Sequence, residues 1–145
     1  MTVTMSRAER EAFLANVHVG ILSVQQDGRG PLTLPIWYAY KPGGTVNLIT
    51  GASTRKARLL AAAGRFSLCV QTETPPYKYV SVEGPIVATE ADVAPSERTA
   101  LAYRYLGPEF GDLYLAATAD RDASSVMIRM TPENWLTTDF AKEFG

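Results

Sequence analysis

The sequence predicts a mainly β domain of the sandwich or barrel type, with a few flanking helices. About seven short apolar or β-branched runs are separated by turn residues, a pattern that is typical of these folds. A short helix is predicted after the third run and a longer helical segment after the fifth. With 145 residues, 46% of them apolar and 20% charged, the chain suits one globular domain with a substantial core. We therefore treat residues 1–145 as a single domain.

Composition and charge exclude several classes of function. The formal net charge is −1 and the isoelectric point is near 5.8, whereas a nucleic-acid-binding domain normally carries a basic face. No apolar run reaches membrane-spanning length and no signal-peptide pattern is present, so we expect a cytoplasmic protein. Cys69 is the only cysteine and His18 the only histidine, which excludes an internal disulfide and zinc-finger chemistry. We expect Cys69 to be a buried structural thiol and His18 to be an edge or core residue.

The first segments predict a helix followed by a β-hairpin. Ser6 and Glu9 have capping-box spacing, with Ser6 as the N-cap of a short helix. Residues 17–24 (VHVGILSV) are rich in β-branched residues, and Asp27-Gly28 then indicates a turn.

The second strand of this hairpin is predicted at residues 31–40 (PLTLPIWYAY). Both of its faces are largely apolar, so the strand is either buried on two sides or faces a ligand. Pro35 cannot donate a ladder hydrogen bond, which indicates a sheet edge or a bulge. Trp37 and Tyr38 are equally compatible with a core.

Residues 48–60 (LITGASTRKARLL) contain the most informative local pattern. An apolar strand stops at a turn of small residues, and a basic helix begins. Ser53 or Thr54 is suited to N-cap this helix, and Gly64 is suited to end it.

Arg55, Lys56 and Arg58 crowd the first turn of this helix, where the macrodipole already favours negative charge. Free N–H groups, hydroxyls and cations at a helix N-terminus form a phosphate site, and we interpret the segment as a phosphate anchor. The alternative is a solvated basic turn, because exposed like charges there cost only about 0.3–1 kcal/mol each. Neither a P-loop nor a GxGxxG motif is present.

The second half of the chain continues the pattern of strands and helices. Gly84-Pro85 indicates a bulge or bend within a long strand, and Gly107-Pro108 is expected to interrupt a helical segment. The tail at residues 141–145 is expected to be loose or to form a dimer contact. The predicted elements are strands at 65–74 and 77–89, helices at 95–106 and 109–118, and strands at 126–130 and 135–138.

In order and spacing, the segments HVGILSV, LPIWYAY, LITGASTRKARLL, RFSLCV and YVSVEGPIVA resemble the split β-barrel flavoproteins typified by pyridoxamine 5′-phosphate oxidase. Within that superfamily the chain looks most like the small deazaflavin-dependent reductases that use coenzyme F420. The resemblance covers residues 6–138. It implies a mainly β split barrel with flanking helices, assembled as a homodimer with cofactor sites at the interface.

The resemblance also implies a set of cofactor-binding residues. Lys56 matches the family's phosphate-binding lysine, and Tyr79 lies on the strand that faces the ring from the partner subunit. The loop before and at the helix start wraps the phosphate or tail, and the preceding residues meet the ribityl chain or lie along the ring. The implied cofactor-binding residues are Pro35, Ile36, Trp37, Thr50, Gly51, Ser53, Thr54, Arg55, Lys56 and Tyr79.

The resemblance implies a reductase that transfers hydride between reduced F420 and a small unsaturated substrate. The basic cluster suits the anionic tail of F420, while FMN, which needs only a phosphate cradle, is the alternative cofactor. The sequence is also compatible with a non-enzymatic flavin- or deazaflavin-binding protein and with a haem protein that uses His18 as its only histidine ligand. No catalytic residue is identified, and the proton comes from solvent or from a tyrosine such as Tyr79. The C-terminal part lacks the length of true pyridoxamine phosphate oxidases, which makes that activity doubtful.

Overall fold

Residues 2–145 are described by a computed structural model of the chain, with the backbone alone described at residues 122 and 123. Within them the chain forms seven strands, as the sequence predicts, three α-helices and two short 3-10 helices. The third α-helix contains both of the helical segments predicted at 95–106 and 109–118. The α-helices and strands, in order, are α1 (Arg7–Ala15), β1 (Gly20–Val24), β2 (Leu32–Ile36), β3 (Val46–Gly51), α2 (Arg55–Ala63), β4 (Arg65–Gln71), β5 (Lys78–Glu90), α3 (Pro95–Ala117), β6 (Ser125–Met130) and β7 (Asn134–Asp139). The 3-10 helices are Ala119–Ser124 and Phe140–Glu143.

The strands form one antiparallel sheet that curls on itself. Its order is β2-β1-β4-β5-β6-β3, and β7 pairs with β5 outside this path. Strand β5 joins the two halves, because it pairs with β4 up to Pro85 and with β6 from Ile86. Its register with β6 shifts between Ile86 and Ala88. This confirms the bend that Gly84-Pro85 predicts in the long strand.

The bend requires a glycine because another segment passes very close to it. A β-carbon at Gly84 would lie 1.9 Å from the carbonyl oxygen of Thr131. Thr131 N–H donates to the Pro85 carbonyl oxygen at 3.0 Å, and Glu133 N–H donates to the Glu83 carbonyl oxygen at 2.9 Å. The segment between β6 and β7 is thereby fastened against the corner of the sheet.

The capping box predicted at the start of α1 is confirmed. Ser6 Oγ accepts a hydrogen bond from Glu9 N–H at 3.2 Å, and Glu9 Oε1 accepts one from Ser6 N–H at 2.7 Å. The predicted hairpin of β1 and β2 is also confirmed, and β2 lies at the edge of the sheet. Such an edge strand is where proline, which cannot donate a ladder hydrogen bond, is tolerated.

Both hairpin strands are shorter than predicted, and Tyr105 of α3 accounts for the difference. Its hydroxyl donates to the His18 carbonyl oxygen at 2.7 Å, just before β1. The same hydroxyl accepts from Tyr38 N–H at 3.1 Å, just after β2. Backbone groups that would have extended the ladder are thus paired with a side chain from a distant helix.

The core fills the interior of the curled sheet. Tyr38 is completely buried in it, and its hydroxyl donates to the Leu14 carbonyl oxygen at 2.6 Å. Burial raises the pKa of the Tyr38 hydroxyl above its ordinary value. The largest fully buried side chains are Tyr38, Leu14, Leu22, Leu48, Leu60, Leu68, Met130, Val46, Val70, Val80 and Val82.

The position of Cys69 corrects the expectation of a buried thiol. Cys69 is opposite Ile21 of β1 and Ser81 of β5, in a row on the outer face of the sheet, and it is half-buried. The neighbouring Leu68 and Val70 face the core instead, because successive residues of a strand point to opposite faces. Partial burial raises the pKa of the Cys69 thiol.

His18 has a packing position, as expected. Its ring lies against Phe13 with 4.5 Å between ring centroids, and Nε2 is 3.0 Å from the Phe13 carbonyl oxygen. Burial lowers the pKa of this imidazole.

The predicted interruption of the long helical segment is confirmed. Gly107 has φ 77° and ψ 173°, which divides α3 into two halves at a kink. None of the helices within residues 2–145 has both the length and the apolar character that crossing a membrane requires.

Of the two alternatives for the tail, the loose one is wrong, and the dimer contact stays a prediction. Residues Phe140–Glu143 form a 3-10 helix, and Lys142 Nζ donates to Glu9 Oε1 at 2.7 Å and to the Thr4 carbonyl oxygen at 3.1 Å. The tail is therefore held against the N-terminal segment.

Candidate functional site

The turn between β3 and α2 is built around Thr54, one of the two predicted N-caps. Thr54 Oγ1 accepts a hydrogen bond from Ala57 N–H at 3.2 Å and donates one to the Gly51 carbonyl oxygen at 2.8 Å. Gly64 ends the helix in the left-handed conformation, with φ 71°, as predicted. These local bonds fix the direction in which α2 leaves the sheet.

The three cations of this helix face different directions. Arg55 Nη2 donates to Gln26 Oε1 at 2.5 Å, and Arg58 Nη1 donates to the Ser53 carbonyl oxygen at 2.7 Å. Both arginines are exposed, whereas Lys56 is half-buried and lines a cavity beside the turn. Of the three, Lys56 alone is therefore placed to contact a ligand in that cavity.

The cavity has a volume of about 560 Å³. It lies between the turn at the start of α2, the end of β2, the helix α3 and the 3-10 helix that follows α3. Its described lining residues are Val19, Pro35, Ile36, Trp37, Ile49, Thr50, Gly51, Ser53, Thr54, Lys56, Arg98, Leu101, Ala102, Tyr114, Thr118, Arg121, Ser124 and Ser125.

One wall of the cavity is aromatic and rigidly held. Trp37 stacks on Tyr105, with 5.0 Å between ring centroids and 5° between ring planes. It also contacts Tyr114 at 5.2 Å with a tilt of 53°. The hydroxyl of Tyr105 is bonded to the backbone at His18 and at Tyr38, on both sides of this wall. The sequence left two alternatives for residues 31–40, burial on both faces or exposure to a ligand. The C-terminal end of this segment faces the cavity, which agrees with the second alternative.

Another part of the lining consists of residues that sequence reasoning missed. Arg98 lies in the first half of α3, and Arg121 lies in the 3-10 helix that follows α3. The hydroxyls of Ser124 and Ser125 donate to the Arg121 carbonyl oxygen at 3.1 and 3.0 Å. Neither arginine belongs to a local motif, so only the fold brings these side chains to Lys56.

Eight of the ten predicted site residues line this one cavity, and two do not. Arg55 is turned toward Gln26. Tyr79 lies on β5, opposite Gln71 and Thr138, in a row on the outer face of the sheet. The residues that the fold brings together are Pro35, Ile36, Trp37, Thr50, Gly51, Ser53, Thr54 and Lys56.

The cavity is cationic, although the chain has a formal net charge of −1. Lys56, Arg98 and Arg121 line it, and its described lining residues include no aspartate or glutamate. The N-terminus of α2 adds the positive end of a helix dipole. Such an arrangement binds anions, and phosphate in particular.

The site has the chemical features that a flavin-type cofactor requires. The aromatic wall and Pro35 offer apolar surface for a flat ring, and Lys56 with the Ser53 hydroxyl and the N–H groups at the start of α2 offer donors for a phosphate. Gly51 lies between the apolar surface and the phosphate donors, and its lack of a side chain lets the backbone approach a ligand closely.

Neither a protein-family profile nor a curated protein matches the sequence. Among solved structures, an F420 reductase matches with a TM-score of 0.74 at 22% identity, over 87% of this chain and 94% of that protein. A conserved hypothetical protein from Mycobacterium tuberculosis matches with a TM-score of 0.74 at 23% identity, over 99% of this chain and 90% of that one. A FAD-binding protein from Mesorhizobium loti matches with a TM-score of 0.66 at 22% identity, over 92% and 93% of the two chains.

Structural matches at this level of sequence identity establish the fold, whereas the function has to be argued from the residues of the site. The element order, the curled sheet and these structural neighbours agree with one another. The chain has the split β-barrel fold of the pyridoxamine 5′-phosphate oxidase-like proteins.

Proposed function

We propose that the protein is an oxidoreductase that binds coenzyme F420 and transfers hydride between the reduced deazaflavin and a small unsaturated organic molecule. The observation that carries this proposal is the cavity in which an aromatic strand faces a cationic helix N-terminus. The names of two structural neighbours, an F420 reductase and a FAD-binding protein, agree with a cofactor of the flavin type.

The phosphate end of the cofactor is assigned to the start of α2. Lys56 is half-buried and forms no ion pair with any described carboxylate, so its ammonium group is available to a ligand. The hydroxyl of Ser53 and the first N–H groups of α2 complete the set of donors. Thr54 keeps a structural role, because its hydroxyl already donates to the Gly51 carbonyl oxygen.

The ring end is assigned to the strand at Pro35, Ile36 and Trp37, and Thr50 and Gly51 lie between the two ends. When bound, the reduced cofactor supplies the hydride. The protein positions the reactants and excludes water, which its rigid aromatic wall is suited to do. The described lining residues include no carboxylate or imidazole, so we assign the proton to solvent or to a tyrosine.

We also propose a homodimer in which a second copy completes the site. Ile21 and Leu136 belong to one row on the outer face of the sheet, and their side chains are 37% and 63% exposed. The residues between them in this row are Cys69 and Ser81, which are small, so the face is suited to close packing. Tyr79 lies in the adjacent row and would be contributed to the partner's cavity. Sedimentation of wild type and of Leu136→Lys tests this, because a monomeric wild type would refute it.

The first test is a fluorescence titration of purified apo protein with oxidised F420 and, separately, with FMN, at matched ionic strength. Micromolar or tighter binding of F420 with weak binding of FMN supports the proposal. The reverse preference assigns the protein to FMN, and binding of neither refutes a flavin-type site.

A second test separates an enzyme from a protein that stores or carries a cofactor. Protein loaded with reduced F420 is mixed with a panel of unsaturated acceptors, and cofactor oxidation is followed in a single turnover. An acceptor that speeds oxidation above the rate for free cofactor supports a reductase. If no acceptor does so, the protein is a cofactor-binding protein.

A further inference from the structure

We propose that a second cavity, which adjoins the first at Ile49 and Leu101, binds a small organic acid with an apolar body. This second cavity has a volume of about 640 Å³. It lies between the first half of α3 and the face of β3 and β6 that is turned away from the core. It is a site additional to the one proposed for the cofactor, and it has its own polar residues.

The register of the sheet places the two cavities side by side. Asn47, Ile49 and Gly51 are alternate residues of β3 and share one face, while Leu48 on the other face is completely buried in the core. Gly51 lines the first cavity, Asn47 lines the second, and Ile49 lines both. Leu101 of α3 also lines both cavities. Among the described lining residues these two apolar side chains alone are shared, so a polar ligand of one cavity has its own partners.

The segment that borders the second cavity is fixed by backbone hydrogen bonds. Ala39 and Asn47 exchange two of them, at 3.0 and 2.9 Å, which ties the end of the segment after β2 to the start of β3. Between these residues, Gly44 N–H donates to the Lys41 carbonyl oxygen at 2.8 Å and closes a tight turn. Lys41 is therefore held at the start of a closed turn beside the cavity, and the site is formed before a ligand binds.

The middle of the second cavity is apolar. Ile49 of β3 is opposite Met127 of β6, and Leu101 of α3 lines the same cavity. Met127 and Leu101 are both buried. Ligand cavities of this kind combine apolar walls with a few polar groups that fix the orientation of the ligand. The three side chains are suited to contact a hydrocarbon or aryl body.

The charged residues around this apolar centre leave an excess of positive charge. Arg129 donates to both carboxylate oxygens of Glu97 at 3.1 Å and to Glu90 Oε1 at 2.9 Å, so the acidic residue among the described lining is already paired. Arg104 donates to two backbone carbonyl oxygens at the end of α1. Neither Arg104 nor Lys41 forms an ion pair with a carboxylate that the structure describes. Three cations thus face two carboxylates, and Lys41 is the exposed one of the three.

The uncharged polar groups favour a ligand that accepts hydrogen bonds. Thr45 Oγ1 donates to Asn47 Oδ1 at 2.6 Å, which uses the acceptor of this amide and leaves Nδ2 as a donor. The ammonium group of Lys41 is a donor as well. A carboxylate accepts from both types of group, and its bond to a cation is the stronger one. The second cavity is therefore suited to a monocarboxylic acid whose body lies on the apolar centre.

The test uses two probes that differ in one charge. 1-Naphthylacetate has a carboxylate on an aryl body, and 1-naphthylacetamide is its neutral counterpart. Purified wild type is titrated with each, and binding is followed by naphthalene fluorescence. We expect wild type to bind the acid about fivefold or more tightly than the amide, because one charge pair at a partly exposed site has an effect of that size.

Two substitutions examine the donors. Lys41→Gln should weaken binding of the acid about threefold to tenfold and binding of the amide less than about twofold. Asn47→Asp keeps the acceptor for Thr45 but replaces the donor by a carboxylate, so it should weaken the acid about tenfold or more. Lys41 is exposed, so Lys41→Gln carries the conclusion if thermal unfolding shows that Asn47→Asp is damaged.

The controls separate direct contact from net charge and from binding in the first cavity. Arg29→Gln removes an exposed cation of the turn between β1 and β2, which lines neither cavity, and it should bind both probes as wild type does. Equal affinities of wild type for acid and amide, or the same loss in Arg29→Gln as in Lys41→Gln, would overturn the second site. A loss in Lys56→Ala that equals the loss in Lys41→Gln would also overturn it, because the probe would then lie in the first cavity.

Titrations in the presence of saturating F420 separate this inference from the proposed function. The acid should still bind to the loaded protein and should still depend on Lys41, since the polar residues of the two cavities are distinct. Complete loss of acid binding in the loaded protein would refute a second site. If F420 and FMN do not bind, the proposed function fails, and the titrations without cofactor decide the second site by themselves.

Discussion

Lys56→Ala tests the phosphate anchor because two neighbouring cations provide internal controls. Lys56, Arg55 and Arg58 all lie in the first turn of α2, so each substitution by alanine removes one positive charge from the same helix terminus. Lys56 lines the cavity, whereas neither arginine does, because Arg55 is bonded to Gln26 and Arg58 to the backbone carbonyl oxygen of Ser53. A loss of affinity confined to Lys56→Ala therefore reports direct contact rather than net charge.

The expected magnitude follows from the burial of Lys56. A charge-assisted hydrogen bond to phosphate contributes about 1.5–3 kcal/mol, which corresponds to roughly a 10- to 150-fold change in Kd. Lys56 is half-buried, so solvent and salt screen this interaction less than they would at an exposed residue. For Arg55→Ala and Arg58→Ala we expect changes of about twofold, because exposed charges without direct contact contribute little.

The assay is equilibrium fluorescence titration with F420 and with FMN at about 0.1 M ionic strength, where surface charges are already screened beyond about 10 Å. Thermal unfolding without ligand is measured alongside. A cation in the first turn opposes the helix dipole by about 0.3–1 kcal/mol, so Lys56→Ala should unfold at the same or a slightly higher temperature than wild type. Unchanged affinity in Lys56→Ala, or equal losses in all three variants, would refute the placement of the phosphate.

Three further predictions concern the fold that positions the site. Thr54→Ala removes the N-cap of α2 and should lower the free energy of unfolding in urea by about 0.5–2 kcal/mol. Gly84→Ala places a β-carbon 1.9 Å from the Thr131 carbonyl oxygen, so we expect a loss of about 3 kcal/mol in the same assay. The hydrogen bond from Lys142 is the main reason that the pKa of Glu9 is lowered from 4.5 to about 2. The stability from ionised Glu9 is therefore present above pH 4.5 and lost as the pH falls to 2, and Glu9→Gln should flatten the decline of the unfolding temperature over that interval.

Control substitutions distinguish the proposed cause of each effect from a nonspecific loss of stability. Thr54→Ser keeps a capping oxygen and should retain most of the stability, and a loss equal to that of Thr54→Ala would contradict the capping role. Gly30→Ala adds the same methyl group where no heavy atom lies within 4 Å, so it should be nearly neutral. An unaltered decline in Glu9→Gln would show that other groups control it.

Features that depend on a few neighbouring residues could be predicted from the sequence. The capping box at Ser6, the N-cap at Thr54 and the left-handed end at Gly64 are all confirmed, since the groups that pair there are within four residues of each other. The kink at Gly107 and the edge position of β2 follow from the backbone chemistry of glycine and proline.

Strand ends and side-chain directions could not be predicted, because distant residues decide them. Trp37 and Tyr38 are adjacent and both aromatic, yet Trp37 faces the cavity and Tyr38 is buried in the core. Strand β2 ends before Trp37 and Tyr38, because the hydroxyl of Tyr105, 67 positions beyond Tyr38, accepts a hydrogen bond from Tyr38 N–H. The outward position of Cys69, by contrast, follows from its alternation with Leu68 and Val70 along the strand.

The sequence by itself determined that a basic helix N-terminus follows a strand and a turn of small residues, and the resemblance to split barrels attached a phosphate to it. The tertiary structure alone decided which cations face the cavity. Arg55 and Arg58 do not line it and are bonded to Gln26 and to the Ser53 carbonyl oxygen, whereas Arg98 and Arg121 line it from another part of the chain. The physical reason is that a helix turns by about 100° per residue, so neighbouring cations point in different directions, while pairing of β3 with β6 joins segments that are far apart in sequence.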